Sequence, residues 1–206
     1  MIHPDTEVRF ISPEKGYGLV ATKFIPRGTI TWVQDELDQV FKRDAVKNLN
    51  PIVRNYLETY SFTNKTGDYV LCWDNAKFVN HSFNPSCFST PYDFEIAVRD
   101  IYPGEELTDD YGYLNVEEPF DVIDEGSERK RVYPDDILNF HKEWDLLISE
   151  NAPLVTEVKQ VLIDLIPKDI WNEFLNGIKN PDEMRSILEC YYDRKVASNH
   201  IIKNLQ

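Results

Sequence analysis

The spacing of apolar residues changes character near residue 134, and that break constrains the fold of this 206-residue chain more than any other feature. Upstream of it, residues 7–11 (EVRFI), 17–21 (YGLVA), 28–33 (GTITWV), 69–73 (YVLCW) and 94–99 (FEIAVR) are short runs rich in β-branched and aromatic side chains. Lys15-Gly16, Pro26-Arg27-Gly28, Asn84-Pro85 and Pro103-Gly104 punctuate them as turns. The first half is therefore predicted to be mostly β. Downstream, Ile137, Phe140, His141, Trp144, Leu147 and Ile148 recur at helical spacing, Val155, Val158, Leu162 and Leu165 form a second stripe, and a third helix is predicted around Ile170, Phe174 and Ile178. After it, Asn180 is placed to cap a further helix, with Pro181 at its first position and Glu183 as a capping-box carboxylate. These stripes read as packing faces. Between the halves, residues 116–134 (VEEPFDVIDEGSERKRVYP) predict a charged loop across or near a site, with Arg129-Lys130-Arg131 as a solvated turn.

A chain of this length can bury a real core in one domain, with or without a smaller appendage. Its 11 Tyr, 11 Phe and 4 Trp argue against disorder. The net charge of −14 opposes general nucleic-acid binding, because phosphate backbones need a basic footprint. The same charge would steer a Lys/Arg-rich partner toward the surface, although acidity for solubility alone explains it equally well. Cys72, Cys87 and Cys190 make an odd count without CxxC spacing, which suits a reducing compartment and cannot by itself fill a four-ligand zinc site. The first residues, MIHPDTEVRFI, lack a basic segment followed by an apolar one, and nowhere do 18 apolar residues run together. The expectation is an intracellular protein, cytoplasmic or nuclear, with no membrane partner.

Three segments can carry chemistry. In Lys15-Gly16-Tyr17-Gly18, two glycines permit positive φ or close approach of backbone to a ligand, but no third glycine and no following helix complete a dinucleotide loop. Lys77-Phe78-Val79-Asn80-His81-Ser82-Phe83-Asn84-Pro85-Ser86-Cys87 is a dense polar run without a nucleophile-elbow pattern; alone it reads as a loop whose side chains satisfy backbone groups. Gly104-Glu105-Glu106-Leu107-Thr108-Asp109-Asp110-Tyr111-Gly112-Tyr113 is a turn leading into a polar strand that ends in closely spaced tyrosines.

In this order and spacing the three segments resemble the SET domain of protein-lysine methyltransferases. Gly16-Tyr17-Gly18 matches the family's GxG stretch, Lys77 through Ser86 its (R/K)FxNHSxxPx hallmark, and Gly104 through Tyr111 its GEEL-T-x-x-Y run. The resemblance covers roughly residues 5–115. It implies a mostly β SET fold of short sheets with knot-like threading at its C-terminal end, followed here by an α-helical region. The corresponding division is a SET domain over 1–115, a charged connecting loop over 116–133 and a helical region over 134–206. It further implies S-adenosylmethionine as cofactor, held by Lys15, Gly16, Tyr17, Gly18, Asn80 and His81, with Tyr111 as the catalytic tyrosine beside it and Phe120 covering the adenine. Tyr60, Tyr113 and Asp109 would border the substrate channel, the alternative for either tyrosine being ordinary core.

The implied reaction is an in-line displacement at a sulfonium methyl by a neutral amine, whereas free lysine has a pKa of about 10.4. A narrow aromatic channel and a neighbouring positive sulfonium both disfavour the ammonium form. Alignment of the two reactants supplies much of the acceleration. No metal is needed, and none is expected: Cys87 stands where relatives with a zinc-binding tail have a cysteine, but no CxC follows Tyr111. Asp109 stands two residues before the tyrosine, where Phe or Tyr is common, and Phe83 replaces the usual cysteine. The leading expectation is methylation of a lysine in a basic protein, whether histone, histone-like or ribosomal. The alternative is a non-catalytic SET-like interaction module.

Overall fold

The structure is a computed structural model that describes residues 1–123 and 125–194. Its strands are β1 (Thr6–Ser12), β2 (Gly16–Ala21), β3 (Ile30–Val33), β4 (Gln39–Phe41), β5 (Ser61–Thr63), β6 (Tyr69–Leu71), β7 (Asn80–His81), β8 (Cys87–Ser89), β9 (Phe94–Ala97), β10 (Glu106–Asp109), β11 (Phe120–Asp121) and β12 (Arg131–Val132). The α-helices are α1 (Arg43–Val46), α2 (Pro51–Tyr60), α3 (Asp136–Asn151) and α4 (Lys168–Lys179). The strands form small sheets in the orders β1-β2-β10-β7, β3-β9-β8 and β4-β6-β5, with β11 and β12 paired by themselves.

The first sheet positions the site. β1 and β2 pair as an antiparallel hairpin from Thr6↔Ala21 to Ser12↔Gly16, and Gly16 takes φ +76° at its tip, a conformation that disfavours a side chain. Leu19, Val20 and Ala21 are buried in succession, as expected of a strand covered on both faces. β10 then pairs antiparallel to β2 through Glu106↔Val20 and Leu107↔Leu19, and parallel to β7 through Thr108↔Asn80 and Asp109↔His81. One four-residue strand thus brings the Gly16–Gly18, Asn80–His81 and Tyr111 segments together.

The helical part packs on these sheets. Ile30, Phe94 and Ile96 share a core with Val155, Leu162 and Phe174, while Phe88 and Tyr113 share another with Ile137, Trp144, Ile148 and Ile187. Each fully buried large side chain contributes about 1.5–3 kcal/mol. Asn115, buried at φ 54°, ties three segments: its amide donates to Thr63 O (3.0 Å) and Cys190 O (2.8 Å), and its Oδ1 accepts from Tyr192 N (2.8 Å). Asn is among the residues that tolerate this left-handed conformation.

The helices over Ile137–Ile148 and Ile170–Ile178 form as the spacing predicts. The stripe Val155–Leu165 does not become a helix. Val155 and Leu162 are buried, but the segment consists of short 3₁₀ turns, because Gln160 bonds to an adjacent strand edge. Its Oε1 accepts from Ile30 N and its Nε2 donates to Gly28 O, both at 2.8 Å. Asn180 likewise caps no helix: only a 3₁₀ turn, Pro181–Glu183, follows, and the Asn180 amide donates to Asn176 Oδ1 instead. In the first half, α2 was not anticipated; Asn50 caps it by accepting from Ile52 N (2.9 Å), with Pro51 at its first position. Residues 195–206 of the expected helical region lie outside the described residues. Among the described residues no helix is long and apolar enough to cross a membrane.

Candidate active site

Glu106, at the start of β10, organises one side of the site. It accepts from Asn80 Nδ2 (2.6 Å) and from Lys15 Nζ (3.2 Å), and Asn80 Nδ2 also donates to Tyr17 O (3.1 Å). Gly18 permits this approach. A Cβ there would overlap Glu106 Oε1 and stand 2.7 Å from Ile11 Cγ1 and 2.8 Å from Asn80 Nδ2, closer than van der Waals contact allows.

The neighbouring residue, His81, receives the Tyr111 backbone N–H on Nδ1 (3.0 Å), so the ring hydrogen belongs on Nε2. That Nε2 is buried and has no partner among the described residues. Burial, reinforced by the positive charges of Arg129 and Lys15, lowers the imidazole pKa to about 4, leaving the ring neutral at physiological pH. Its Nδ1 lies 4.0 Å from Asp110 Oδ1, but with the ring neutral this is not an ion pair. The Tyr111 hydroxyl donates to Val79 O, so what its oxygen offers a ligand is a lone pair. Burial first, then the carboxylates of Asp109, Glu106 and Glu95, raise the phenol's pKa and keep it protonated.

Two cavities meet here. The smaller, about 270 Å³, is bordered by Glu14, Lys15, Asn80, His81, Val122 and Glu125; the larger, about 850 Å³, is bordered by Trp32, Tyr60, Glu95, Asp109 and Tyr113 among others. Tyr111 and Phe120 border both. Of the residues expected to line a substrate channel, Tyr60 closes α2 against Tyr56 and Phe78, with ring centroids 4.7 and 5.6 Å away. Tyr113 is 3% exposed, and its hydroxyl donates to Asp109 Oδ2 and accepts from Ser89 N (3.2 Å). Asp109 is 5% exposed and Glu95 4%. Burial, then each other's charge in the case of Asp109, raises both, Glu95 to about 7 and Asp109 well above the carboxylate range.

The 116–134 segment closes over the smaller cavity. β11 and β12 form its stem, Phe120 faces His81 and Tyr111 with centroids 6.0 and 6.4 Å away, and Glu125 accepts from Ser82 Oγ (2.8 Å) and Phe83 N. Arg129 is not part of a solvated turn, as its basic neighbours suggested. Its guanidinium lies between Asp110 and Asp136, 2.7 Å from Asp136 Oδ2, and stacks 4.3 Å from the Phe83 ring and 4.4 Å from the Phe140 ring. The residue at 83 thus serves as a platform for Arg129. Glu106 was visible in its motif without its role. Glu95, Glu125 and Arg129 were missed, since each bonds to a partner 19 or more residues away and carries no local signal. Cys87 lies in the core, and among the described residues no group of His, Cys, Asp or Glu is arranged to hold a metal ion.

Residues 16–112 match the family model of the SET domain. No curated protein matches the sequence. Among solved structures, the chain is similar to a Plasmodium falciparum protein described as a candidate histone methyltransferase, at 17% identity and a TM-score of 0.39, over 53% of this chain and 95% of that one.

Proposed function

The chain carries a SET domain, and from that premise we propose that it is a protein-lysine N-methyltransferase acting on a basic protein with S-adenosylmethionine as methyl donor. The observation that carries this reading is that Tyr111 and Phe120 border both cavities, so that two ligands can meet at one hydroxyl. The smaller cavity suits the donor. It offers a buried His81 N–H that has no partner among the described residues, the Phe120 ring for an adenine, and the carboxylates of Glu14 and Glu125 for a cationic ligand. Lys15, Gly16, Tyr17 and Gly18 would hold the donor through their backbone, with Asn80 and His81 beside them. The parallel β7–β10 pairing is compatible with a chain end tucked past Asn80, as the family's threading requires.

When bound, S-adenosylmethionine supplies an electrophilic methyl group on a sulfonium. The protein's share is placement. Tyr111, its proton engaged by Val79 O, accepts from the amine N–H and so turns the nitrogen lone pair toward the donor side. Tyr60, Tyr113 and Asp109 would border the lysine's path in the larger cavity. Glu58, Glu117, Glu118 and Glu189 on its rim outnumber Lys65, Lys77 and Arg185, and this supports a Lys/Arg-rich substrate such as a histone or ribosomal protein.

The test is transfer of labelled methyl to core histones and ribosomal proteins by the wild type and by Tyr111→Phe. Label on lysine is expected, falling by about 100-fold or more in the variant, while S-adenosylmethionine still raises the melting temperature of both proteins. A wild type that gains no stability from the donor would point to an interaction module instead.

A further inference from the structure

We propose that Glu95 and Asp109 form a proton-accepting pair that takes the proton of the substrate ammonium before methyl transfer. This rests on the lysine methyltransferase reading and adds an acceptor to it.

The two carboxyls come from different sheets, Glu95 from β9 and Asp109 from the end of β10, and both border the larger cavity together with Tyr111 and Tyr113. They are almost wholly buried, yet among the described residues no salt bridge reaches either. Besides each other and the Cys87 thiol, their partners are neutral donors: Thr31 Oγ1 donates to Glu95 Oε1 (2.5 Å), Asp110 N to Asp109 Oδ1 (2.8 Å), and the Tyr113 hydroxyl to Asp109 Oδ2. The titratable groups facing them are Cys87 from β8, Cys72 beyond β6, Tyr111 and Tyr113, and Asp110 on the adjoining turn; Glu106 is near through Tyr111. None is a cation. His81, from β7, is neutral, and the cations of the adjoining site, Arg129 and Lys15, are bonded to Asp110, Asp136 and Glu106.

Asp110, one residue along, shows how this fold treats a buried carboxylate needed for structure: it supplies an arginine. Glu95 and Asp109 lack one, and two like charges so placed cannot both persist, so the pair retains one proton and exchanges another in the neutral range. A group of that kind beside a reacting amine is a suitable general base. The ammonium N–H bond breaks, the proton moves to the ionised carboxyl, and the freed nitrogen lone pair forms the new C–N bond as the donor's C–S bond breaks. Afterwards the pair returns its proton to solvent through the open cavity.

The experiment is the pH dependence of kcat at saturating S-adenosylmethionine for the wild type, Asp109→Asn, Glu95→Gln and Asp109→Glu, with donor-induced thermal stabilisation confirming that each is folded. The expected result is that Asp109→Asn and Glu95→Gln shift the rising limb upward by about one unit or more, lower turnover about tenfold at pH 7 and recover it near pH 9.5, while Asp109→Glu restores the wild-type limb. An unmoved limb with turnover reduced equally at every pH would make the pair structural and overturn the proposal, as would a rise in KM alone, which would make it a holder of the charged ammonium. Wild-type protein that transfers no methyl to any protein of the panel would overturn the methyltransferase reading, and the inference with it.

Discussion

Replacing Arg129 by alanine should destabilise the protein by about 4 kcal/mol, because breaking one member of a buried charge cluster typically costs about 3–5 kcal/mol. The value follows from where the guanidinium sits. It bridges Asp110 and Asp136, whose side chains are each 3% exposed, and is itself only 20% exposed. Its removal leaves two buried carboxylates with, among the described residues, backbone partners alone, the Asp110 carboxylate accepting from Gly112 N and that of Asp136 from Tyr133 N. It also removes the cation stacked between Phe83 and Phe140, an interaction of about 0.5–2 kcal/mol that overlaps the first figure. For a chain of this size the melting temperature should fall by about 8–16 °C, and the urea midpoint should drop at an unchanged slope. The control is the triple variant Arg129→Met, Asp110→Asn, Asp136→Asn, which removes the unpaired charges and should recover most of the loss. An Arg129→Ala protein within about 1 kcal/mol of wild type, or a triple variant as unstable as the single one, would refute the assignment of Arg129 as the staple of the 116–134 segment.

Two further outcomes follow from the site. Gly18→Ala should weaken S-adenosylmethionine binding by about tenfold or more, ~1.4 kcal/mol, by forcing apart Asn80 and Glu106; calorimetry showing unchanged affinity would disprove the close packing at Gly18. Glu95 has a folded pKa near 7 against an ordinary 4.5, so its contribution to stability is fully present below about 4.5 and is lost as pH rises through 7. Glu95→Gln should therefore match wild type at pH 4 and exceed it at pH 8, and parallel urea stability profiles would contradict this.

What could be read in advance was local. The strands at 7–11, 17–21 and 94–99 announce themselves because β-branched and aromatic residues meet glycine and proline turns, and α3 does so because Ile137, Trp144 and Ile148 fall on one face. The segments around Gly16, Asn80 and Tyr111 are recognisable by composition, but their convergence on β10 is a matter of pairing that no single segment encodes. Non-local partners explain the rest. Val155 and Leu162 look helical because they are buried, yet Gln160 spends its amide on the backbone of Gly28 and Ile30. Arg129 looks solvated because its sequence neighbours are charged, although its partners are aspartates 19 residues back and 7 ahead. Glu95 stands in a strand buried at every position, and only the third dimension sets Asp109 beside it.

On the proposed reading, two cavities that share Tyr111 and Phe120 give donor and substrate separate routes. Because Tyr111 and Phe120 border both cavities without belonging wholly to either, a spent donor could depart and a fresh one arrive through the smaller opening while the protein substrate stays seated in the larger. The number of methyl groups left on one lysine would then be decided by a race, the refilling of one chamber against the emptying of the other.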